Sequence, residues 1–263
     1  MNDEYHKSET GTAVQEIPEF LPILPLKDVV IYPTVVVPLA IGRENSIQLI
    51  EEAAKRSGLL GIVAQRDSGT TGPDCDNIYS RGTAVRIRHL LRQPDGTLRI
   101  IVQGLARIQI RELTQTKPYL AARISVLGEE AQHSLLVDAL MTNAVVLFQT
   151  LMIFYSDLPE KQVSAVLTTD DPAKLVYTIA GILQSDLESR QRLLDSDSIG
   201  HKLKILTAEL ANELQLRELG KRFAAQNEQA MDTVDREVWF QEQIGAAVTE
   251  VGGSAGDDEW QSG

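Results

Sequence analysis

Apolar residues follow a strand-like pattern through the first half of the chain, starting at Phe20. Two β-branched runs, residues 29–32 and 35–37, are each followed directly by a proline. β-branched side chains favour strands, and proline is confined to strand ends or edges because it cannot donate to a ladder. These runs therefore predict two short strands that end at Pro33 and Pro38.

A helix and a hairpin are predicted within this β-rich half. Apolar positions at helical spacing over residues 47–54 predict an amphipathic helix that Gly58 terminates. Farther along, apolar residues alternate with arginines on both sides of the turn sequence Pro94-Asp95-Gly96, in which proline fixes φ and glycine supplies a positive φ. Residues 82–102 are therefore predicted to form a β-hairpin in a small, mostly antiparallel sheet or partial barrel.

Beyond Gly128 the apolar period changes from two to 3.6 residues. A broad helical stripe is formed by Leu135, Leu136, Ala139, Leu140, Ala144, Leu147, Leu151 and Phe154. Asp171 followed by Pro172 predicts a capped helix start. From Ser198 to Gly252 only single glycines interrupt the chain, which predicts a helix of about 50 residues, roughly 75 Å long.

These patterns predict an α+β fold in which a small, mostly antiparallel β domain precedes an α-helical bundle that ends in a long C-terminal helix. The predicted segments are a flexible tail (1–17), the β domain (18–127), the helical bundle (128–197), the long helix (198–251) and a flexible acidic tail (252–263).

Charge divides the chain in the same way. Residues 17–127 carry 14 Lys and Arg against 10 Asp and Glu, whereas residues 128–263 carry 10 against 23. The acidic second half makes a poor partner for nucleic acid, and an aromatic content of 5% argues against base stacking. Nucleic acid is therefore an unexpected partner.

The sequence contains no recognisable catalytic or metal-binding motif. A phosphate-binding loop, a Gly-x-Ser-x-Gly elbow and a His-Glu-x-x-His pair are all absent, and the four histidines are scattered. The single cysteine, Cys75, excludes an internal disulfide and a cysteine-rich zinc site. We therefore predict no catalytic residue, no cofactor and no metal ligand. With no secretory signal and no apolar stretch of about 18 residues, we also expect a cytoplasmic protein without a membrane span.

One concentrated basic set lies in the β-rich half. Its members are Arg81, Arg86, Arg88, Arg92, Arg99, Arg107, Arg111 and Arg123. Two interpretations stay open: the arginines form the hydrated face of an amphipathic sheet, or they form an interaction face for RNA or an acidic protein.

Several segments closely resemble bacterial Lon ATP-dependent proteases. Residues 21–33, Leu-Pro-Ile-Leu-Pro-Leu-Lys-Asp-Val-Val-Ile-Tyr-Pro, are similar to the opening of Lon, as are residues 42–46, Gly-Arg-Glu-Asn-Ser. Residues 170–175, Asp-Asp-Pro-Ala-Lys-Leu, and residues 235–243, around Trp239-Phe240, are similar to later Lon segments. The resemblance covers about residues 18–250.

The resemblance implies a PUA-like β domain, a helical bundle and a long helix. In Lon this region captures unfolded or tagged proteins and helps to organise the oligomer. The Lon Walker motifs and Ser-Lys peptidase have no counterpart in this sequence. The expected function is therefore non-catalytic recognition of unfolded or tagged protein substrates for ATP-dependent proteolysis.

The candidate protein-interaction residues are Pro25, Leu26, Lys27, Asp28, Val30, Tyr32, Pro33, Trp239 and Phe240. The first seven form a segment that mixes apolar side chains with two charges, although the same pattern also suits plain strand and turn structure. A second hypothesis is a regulatory or assembly protein whose long helix pairs with itself or with a full-length Lon. An RNA-binding PUA-like domain is the third.

Overall fold

Strands occupy the first part of the chain and helices the rest. The structure, a computed structural model, describes residues 17–66, 77–129, 134–155, 158–183 and 185–223. The strands are β1 (Phe20–Leu26), β2 (Val36–Ile41), β3 (Leu59–Ala64), β4 (Arg81–Arg92), β5 (Leu98–Gln115) and β6 (Leu120–Leu127). The helices are α1 (Glu44–Lys55), α2 (Leu135–Leu151) with a 3-10 turn (Met152–Phe154), α3 (Glu160–Leu167), α4 (Pro172–Ile182), α5 (Leu187–Asp195) and α6 (residues 199–223).

The strands close into a small barrel around the long strand β5. β4 pairs along one edge of β5, while β2 and β6 share the other edge, β2 pairing residues 98–103 and β6 residues 107–115. β3 pairs with β4, β1 with β3, and β6 with β1, which completes the ring. Among the strands of the described residues, only the β1–β3 pair is parallel. The predicted α+β fold with a mostly antiparallel sheet is therefore confirmed.

β2 is an edge strand, and it differs from the prediction at its end. Among the described residues it pairs with β5 alone, and it continues through Pro38 to Ile41. Proline is tolerated at an edge because its missing N–H can face away from the neighbouring strand. The prediction that this strand stops at Pro38 is therefore wrong.

The predicted strand at residues 29–32 is also wrong. This segment forms no ladder, and it lies between Asp28 and Thr34, which both adopt positive φ values. Its last residues are buried instead, and the Tyr32 carbonyl lies so close to Gly104 that a Cβ there would clash with it. Tertiary packing, rather than strand pairing, therefore holds this β-branched segment.

The helix and the hairpin of the β-rich half form as predicted. α1 buries Leu49, Ile50 and Ala53 in one core cluster of the barrel, where each large aliphatic side chain contributes about 1.5–3 kcal/mol. Gly58, with a φ of 67°, ends this helix by donating to the Ala53 carbonyl at 2.8 Å. β4 and β5 form the predicted hairpin around Gly96.

The apolar stripe predicted for α2 is displaced. Leu135 is 90% exposed and Leu136 is 57% exposed, whereas the buried face consists of Val137, Ala144, Phe148 and Leu151. Because apolar residues surround almost the whole helix, periodicity alone cannot identify the side that faces its neighbours.

α2 also changes the expectation about membrane spans. Over Leu135–Phe154 the described chain has one helix that is long and apolar enough to cross a membrane by length and composition. Asp138, Asn143 and Gln149 interrupt this helix, so it is a candidate by its mean hydropathy rather than an uninterrupted apolar stretch. Helices in the cores of water-soluble domains can pass the same test, so this finding alone assigns no membrane.

The later helices begin and pack largely as predicted. Asp171 caps α4 by accepting hydrogen bonds from the Ala173 and Lys174 amides at 2.9 and 3.3 Å. The chain divides into two compact units, Met1–Leu210 and Ala211–Gly263. Within the first unit, α6 buries Leu203, Leu206 and Leu210, along with Ile199. Within the second, residues 211–223 are helical, and the predicted continuation to residue 251 lies outside the described residues.

Candidate protein-binding groove

A groove of about 380 Å³ lies between the end of β1 and the unpaired edge of β2. We name it the β2 groove. It is lined by Pro25, Leu26, Lys27, Val29, Pro38, Leu39, Ala40, Ile41, Gly42, Arg43 and Ser46. This lining is mostly apolar, and its charged members are the two cations Lys27 and Arg43. The lining therefore combines apolar side chains with two cations, and the acidic residues Asp28 and Glu44 are their direct neighbours in the chain.

Part of the segment predicted to bind protein lines this groove. Pro25, Leu26 and Lys27 are half-buried lining residues. Asp28 is exposed beside them, and its carbonyl accepts a hydrogen bond from the Arg190 guanidinium at 2.9 Å. Val30 is half-buried outside the lining.

Tyr32 and Pro33 lie inside the protein, which corrects their placement on an accessible surface. Tyr32 is 2% exposed, stacks on Tyr177 with ring centroids 5.6 Å apart, and donates its hydroxyl to the Arg190 carbonyl at 3.1 Å. Burial raises the pKa of the Tyr32 hydroxyl, which keeps it a neutral donor. These two residues join the barrel to the helices. Trp239 and Phe240 lie outside the described residues.

The opposite wall of the groove was missed by sequence reasoning. Pro38, Leu39, Ala40 and Arg43 come from β2 and from the turn before α1. The available signal was Pro38, because a proline inside a β-branched run indicates an edge strand. That signal identifies an edge, but it does not indicate which segment lies across from it.

The groove ends at the N-terminus of α1. Arg43 occupies the N-cap position with extended backbone, and its side chain makes no capping hydrogen bond. The first turn of a helix has unsatisfied N–H groups and a partial positive charge. Arg43 and Ser46 line this end of the groove, beside Glu44 in the first turn of α1.

A second polar centre, far more buried, joins the barrel to the helices. We name Arg107, Glu129, Tyr177, Asp197 and Lys202 the Arg107 cluster. Arg107 is 1% exposed and contacts Glu129 at 2.7 Å and Asp197 at 3.0 Å. Lys202, completely buried, contacts Glu129 at 2.6 Å, and the Tyr177 hydroxyl is hydrogen-bonded to both of them.

The Arg107 guanidinium also donates hydrogen bonds to three backbone carbonyls. It donates to the carbonyls of Leu194 at 3.1 Å, Ser196 at 2.9 Å and Gly128 at 3.0 Å. Burial lowers the pKa of Lys202 to about 8, although its ion pair with Glu129 acts in the opposite direction. The cluster is therefore a structural connection whose polar groups already have partners.

The predicted basic set is largely occupied by internal contacts. Arg107 is buried, Arg81 binds Asp197 with two 3.1 Å hydrogen bonds, and Arg92 contacts Glu51 at 2.9 Å. Arg123 contacts Glu112 at 3.1 Å. These pairs favour the interpretation in which the arginines cover and connect the sheet.

Another cavity, of about 560 Å³, lies beside the start of α4. Its lining includes Glu129, Asp171, Lys174 and Tyr177. Asp171 already caps the α4 amides there, and Glu129 belongs to the Arg107 cluster. Among the described residues, no group of three or more His, Cys, Asp or Glu could hold a metal ion. The β2 groove is thus the better candidate site.

The described residues thus form a closed β barrel joined to helices, with an open groove at a strand edge. Two solved structures have this fold. The N-terminal domain of Lon protease from the Mycobacterium avium complex matches with a TM-score of 0.61 at 22% identity, covering 73% of this chain and 98% of that one. A Lon N-terminal domain protein from Xanthomonas campestris matches with a TM-score of 0.53 at 20% identity, covering 72% and 97%.

Residues 20–212 match the family model of the ATP-dependent protease La (LON) substrate-binding domain, and the chain belongs to that family. Lon protease 2 of Thermus thermophilus is 33% identical over 92% of this chain, and Lon protease of Dictyoglomus thermophilum is 32% identical over 90%. Lon protease of Escherichia coli is 30% identical over 88%. The chain spans about 30% of the length of each of these relatives. The resemblance to Lon is therefore confirmed.

Proposed function

We propose that this chain recognises unfolded or tagged polypeptides for ATP-dependent proteolysis of the Lon type, that it does so in the cytoplasm, and that it performs no catalysis itself. Membership of the substrate-binding family supports recognition as its role. The observation that carries the proposal is the β2 groove, an apolar and accessible channel bounded by an unpaired strand edge. Unfolded chains expose apolar side chains and backbone groups together, and this groove can receive both.

The apolar lining explains a preference for unfolded protein. Leu26, Val29 and Leu39 are only partly buried by the core beneath them, so a guest side chain can cover their remaining surface. Burial of apolar area contributes about 25 cal/mol per Å². A native protein keeps such side chains inside, so it offers little to this groove.

The test is a titration of the 263-residue chain against a fluorescently labelled, permanently unfolded protein, with the same protein in its native form as the comparison. Ala40→Asp places a charge on an exposed lining residue, and we expect it to weaken binding about tenfold or more because a guest would have to desolvate the carboxylate. Val126→Asp is the matched control, since Val126 is an exposed apolar strand residue outside the groove lining. Equal binding by both variants, or no preference for the unfolded form, would contradict the proposal.

A second candidate function has support in the last described helical residues. Leu216, Leu219 and Phe223 are exposed at a spacing of three and four residues, the pattern of a helix that pairs with another helix. Self-association, or association with a full-length Lon, would cover them. Analytical ultracentrifugation of a chain carrying Leu216→Glu, Leu219→Glu and Phe223→Glu tests this role, and an unchanged oligomeric state with unchanged Lon binding would remove its basis.

A further inference from the structure

The backbone N–H and C=O groups of alternate β2 residues point away from β5. The Gly104 amide donates to the Val35 carbonyl at 2.9 Å, and the Gly104 carbonyl accepts from the Thr34 amide at 3.0 Å, so Val35 directs its carbonyl toward β5. In an antiparallel ladder, residues directed toward the neighbouring strand alternate with residues whose N–H and C=O groups point outward. When this alternation is continued along β2, the outward residues are Val36, Pro38 and Ala40.

The position of the proline agrees with this assignment. Pro38 has no N–H, so an outward position costs the ladder no hydrogen bond. The edge therefore offers the N–H groups of Val36 and Ala40 and the carbonyls of all three residues. Within the described ranges, no backbone group of another element bonds to any of them.

The facing wall of the groove is also a strand end. The Leu26 carbonyl accepts from the Gln65 amide at 2.8 Å, so Leu26 directs its backbone toward β3. Its neighbour Pro25 is therefore directed the other way, toward the side on which β6 pairs with earlier residues of β1. Pro25 contributes a carbonyl but no donor. The groove thus lies between two backbone edges, of which β2 is the one with donors.

We propose that the guest binds as an additional strand along β2, and that it is an extended segment with apolar side chains at alternate positions and an Asp or Glu near the α1 end of the groove. This inference rests on the proposed function and specifies its guest. Arg43 is the lining cation assigned to the acidic residue, because it lies at the α1 end of the groove and its side chain makes no capping hydrogen bond.

Pro38 limits the strength of this pairing. Proline on an edge discourages strand addition, since it removes a donor from the middle of the strand. Two N–H groups and three carbonyls remain, enough for register but fewer than a full ladder. Such an edge suits a binder that must release its guest.

The experiment uses a short peptide that alternates valine with threonine and carries one glutamate, acetylated and amidated so that no terminal charge contributes. Its binding to the 263-residue chain is measured by fluorescence anisotropy. The peptide is then N-methylated at one residue at a time. We expect a two-residue period, in which methylation of amides facing β2 weakens binding about tenfold and methylation of the intervening amides changes it little. Equal effects at every position, or none, would overturn strand addition.

Variants of the chain test the same hydrogen bonds from the other side. Ala40→Pro removes an outward N–H at a position that should tolerate proline as Pro38 does, and we expect peptide affinity to fall about tenfold. Ala40→Val, which keeps the N–H, is the matched control. Arg43→Gln tests the charge, and we expect it to erase the preference for the glutamate peptide over its glutamine counterpart. A preference that persists in this variant would contradict the assigned acidic contact.

These outcomes separate the inference from the function on which it rests. If Ala40→Asp abolishes binding of unfolded protein but the N-methylation profile is flat, side chains alone hold the guest and strand addition fails. If unfolded protein binds and the designed peptide does not, the guest class is wrong. If the chain does not distinguish unfolded from native protein, the proposed function itself fails.

Discussion

Polar groups at the Arg107 cluster have partners within the protein, whereas the outward backbone groups of β2 pair with no other element of the described residues. In the cluster, two cations with almost no exposure share Glu129, and Arg107 also binds three chain carbonyls. At the groove, outward backbone groups of β2 border an apolar lining. The difference teaches that buried charge connects the barrel to the helices, while the unpaired edge is left available for a guest.

The largest loss of stability is expected at Arg107. Arg107→Met should lower the free energy of unfolding by about 3–5 kcal/mol, because it leaves Glu129 beside Lys202 alone and several carbonyls without a donor. Urea denaturation measures this change. Arg99→Met is the control, since Arg99 is an exposed arginine of the same strand and should change stability little. Similar losses of stability in both variants would show that the buried contacts of Arg107 contribute no more than an exposed arginine does.

The lowered pKa of Lys202 should make the free energy of unfolding depend on pH. Its pKa falls from an ordinary value of 10.5 to about 8 in the folded chain, so between these values the unfolded state binds more protons. Stability contributed by this group therefore rises as the pH increases from about 8 to 10.5. The free energy of unfolding of Lys202→Met, measured relative to that of the native chain, should therefore be highest below pH 8 and should fall as the pH rises to about 10.5. A stability difference independent of pH would contradict the burial of a charged lysine.

A smaller loss of stability is expected at Tyr32, a buried residue of the candidate segment. Tyr32→Phe removes the hydroxyl that donates to the Arg190 carbonyl and keeps the stacking on Tyr177. We expect a loss of about 1 kcal/mol in the free energy of unfolding and unchanged binding of unfolded protein. A binding defect without a loss of stability would show that Tyr32 contributes to recognition of the guest.

The smallest change in stability should occur at the groove. Pro38→Ala restores an outward N–H at an exposed edge position, so the free energy of unfolding should change by about 0.5 kcal/mol or less. The same variant should bind the designed peptide about threefold more tightly, because it adds a donor that the guest can use. Thermal denaturation and anisotropy measure the two effects. Weaker peptide binding would indicate that the proline side chain, rather than the edge, contacts the guest.

Local patterns identified those elements that local physics controls. The hairpin at Gly96, the cap at Asp171 and the helix end at Gly58 each depend on residues close in sequence, and each is present. Residues 29–32 and the buried face of α2 depend on distant neighbours: the predicted strand is absent, and of the predicted α2 stripe only Ala144 and Leu151 lie on the buried face. Within the candidate segment, Pro25, Leu26 and Lys27 line the groove while Tyr32 and Pro33 are buried, and protein binding by this segment stays a prediction.

The sequence by itself determined the α+β class and the separation of a basic β-rich part from an acidic helical part, because periodicity, turn residues and charge are local properties. The family followed from the resemblance of its motifs to Lon. Only the tertiary structure decided that Arg107 is a buried connection rather than a surface cation, and that the edge of β2 lies across from the end of β1. Strand order and the pairing of buried charges join residues far apart in the chain. Side-chain identity alone does not specify which of many possible partners each will meet.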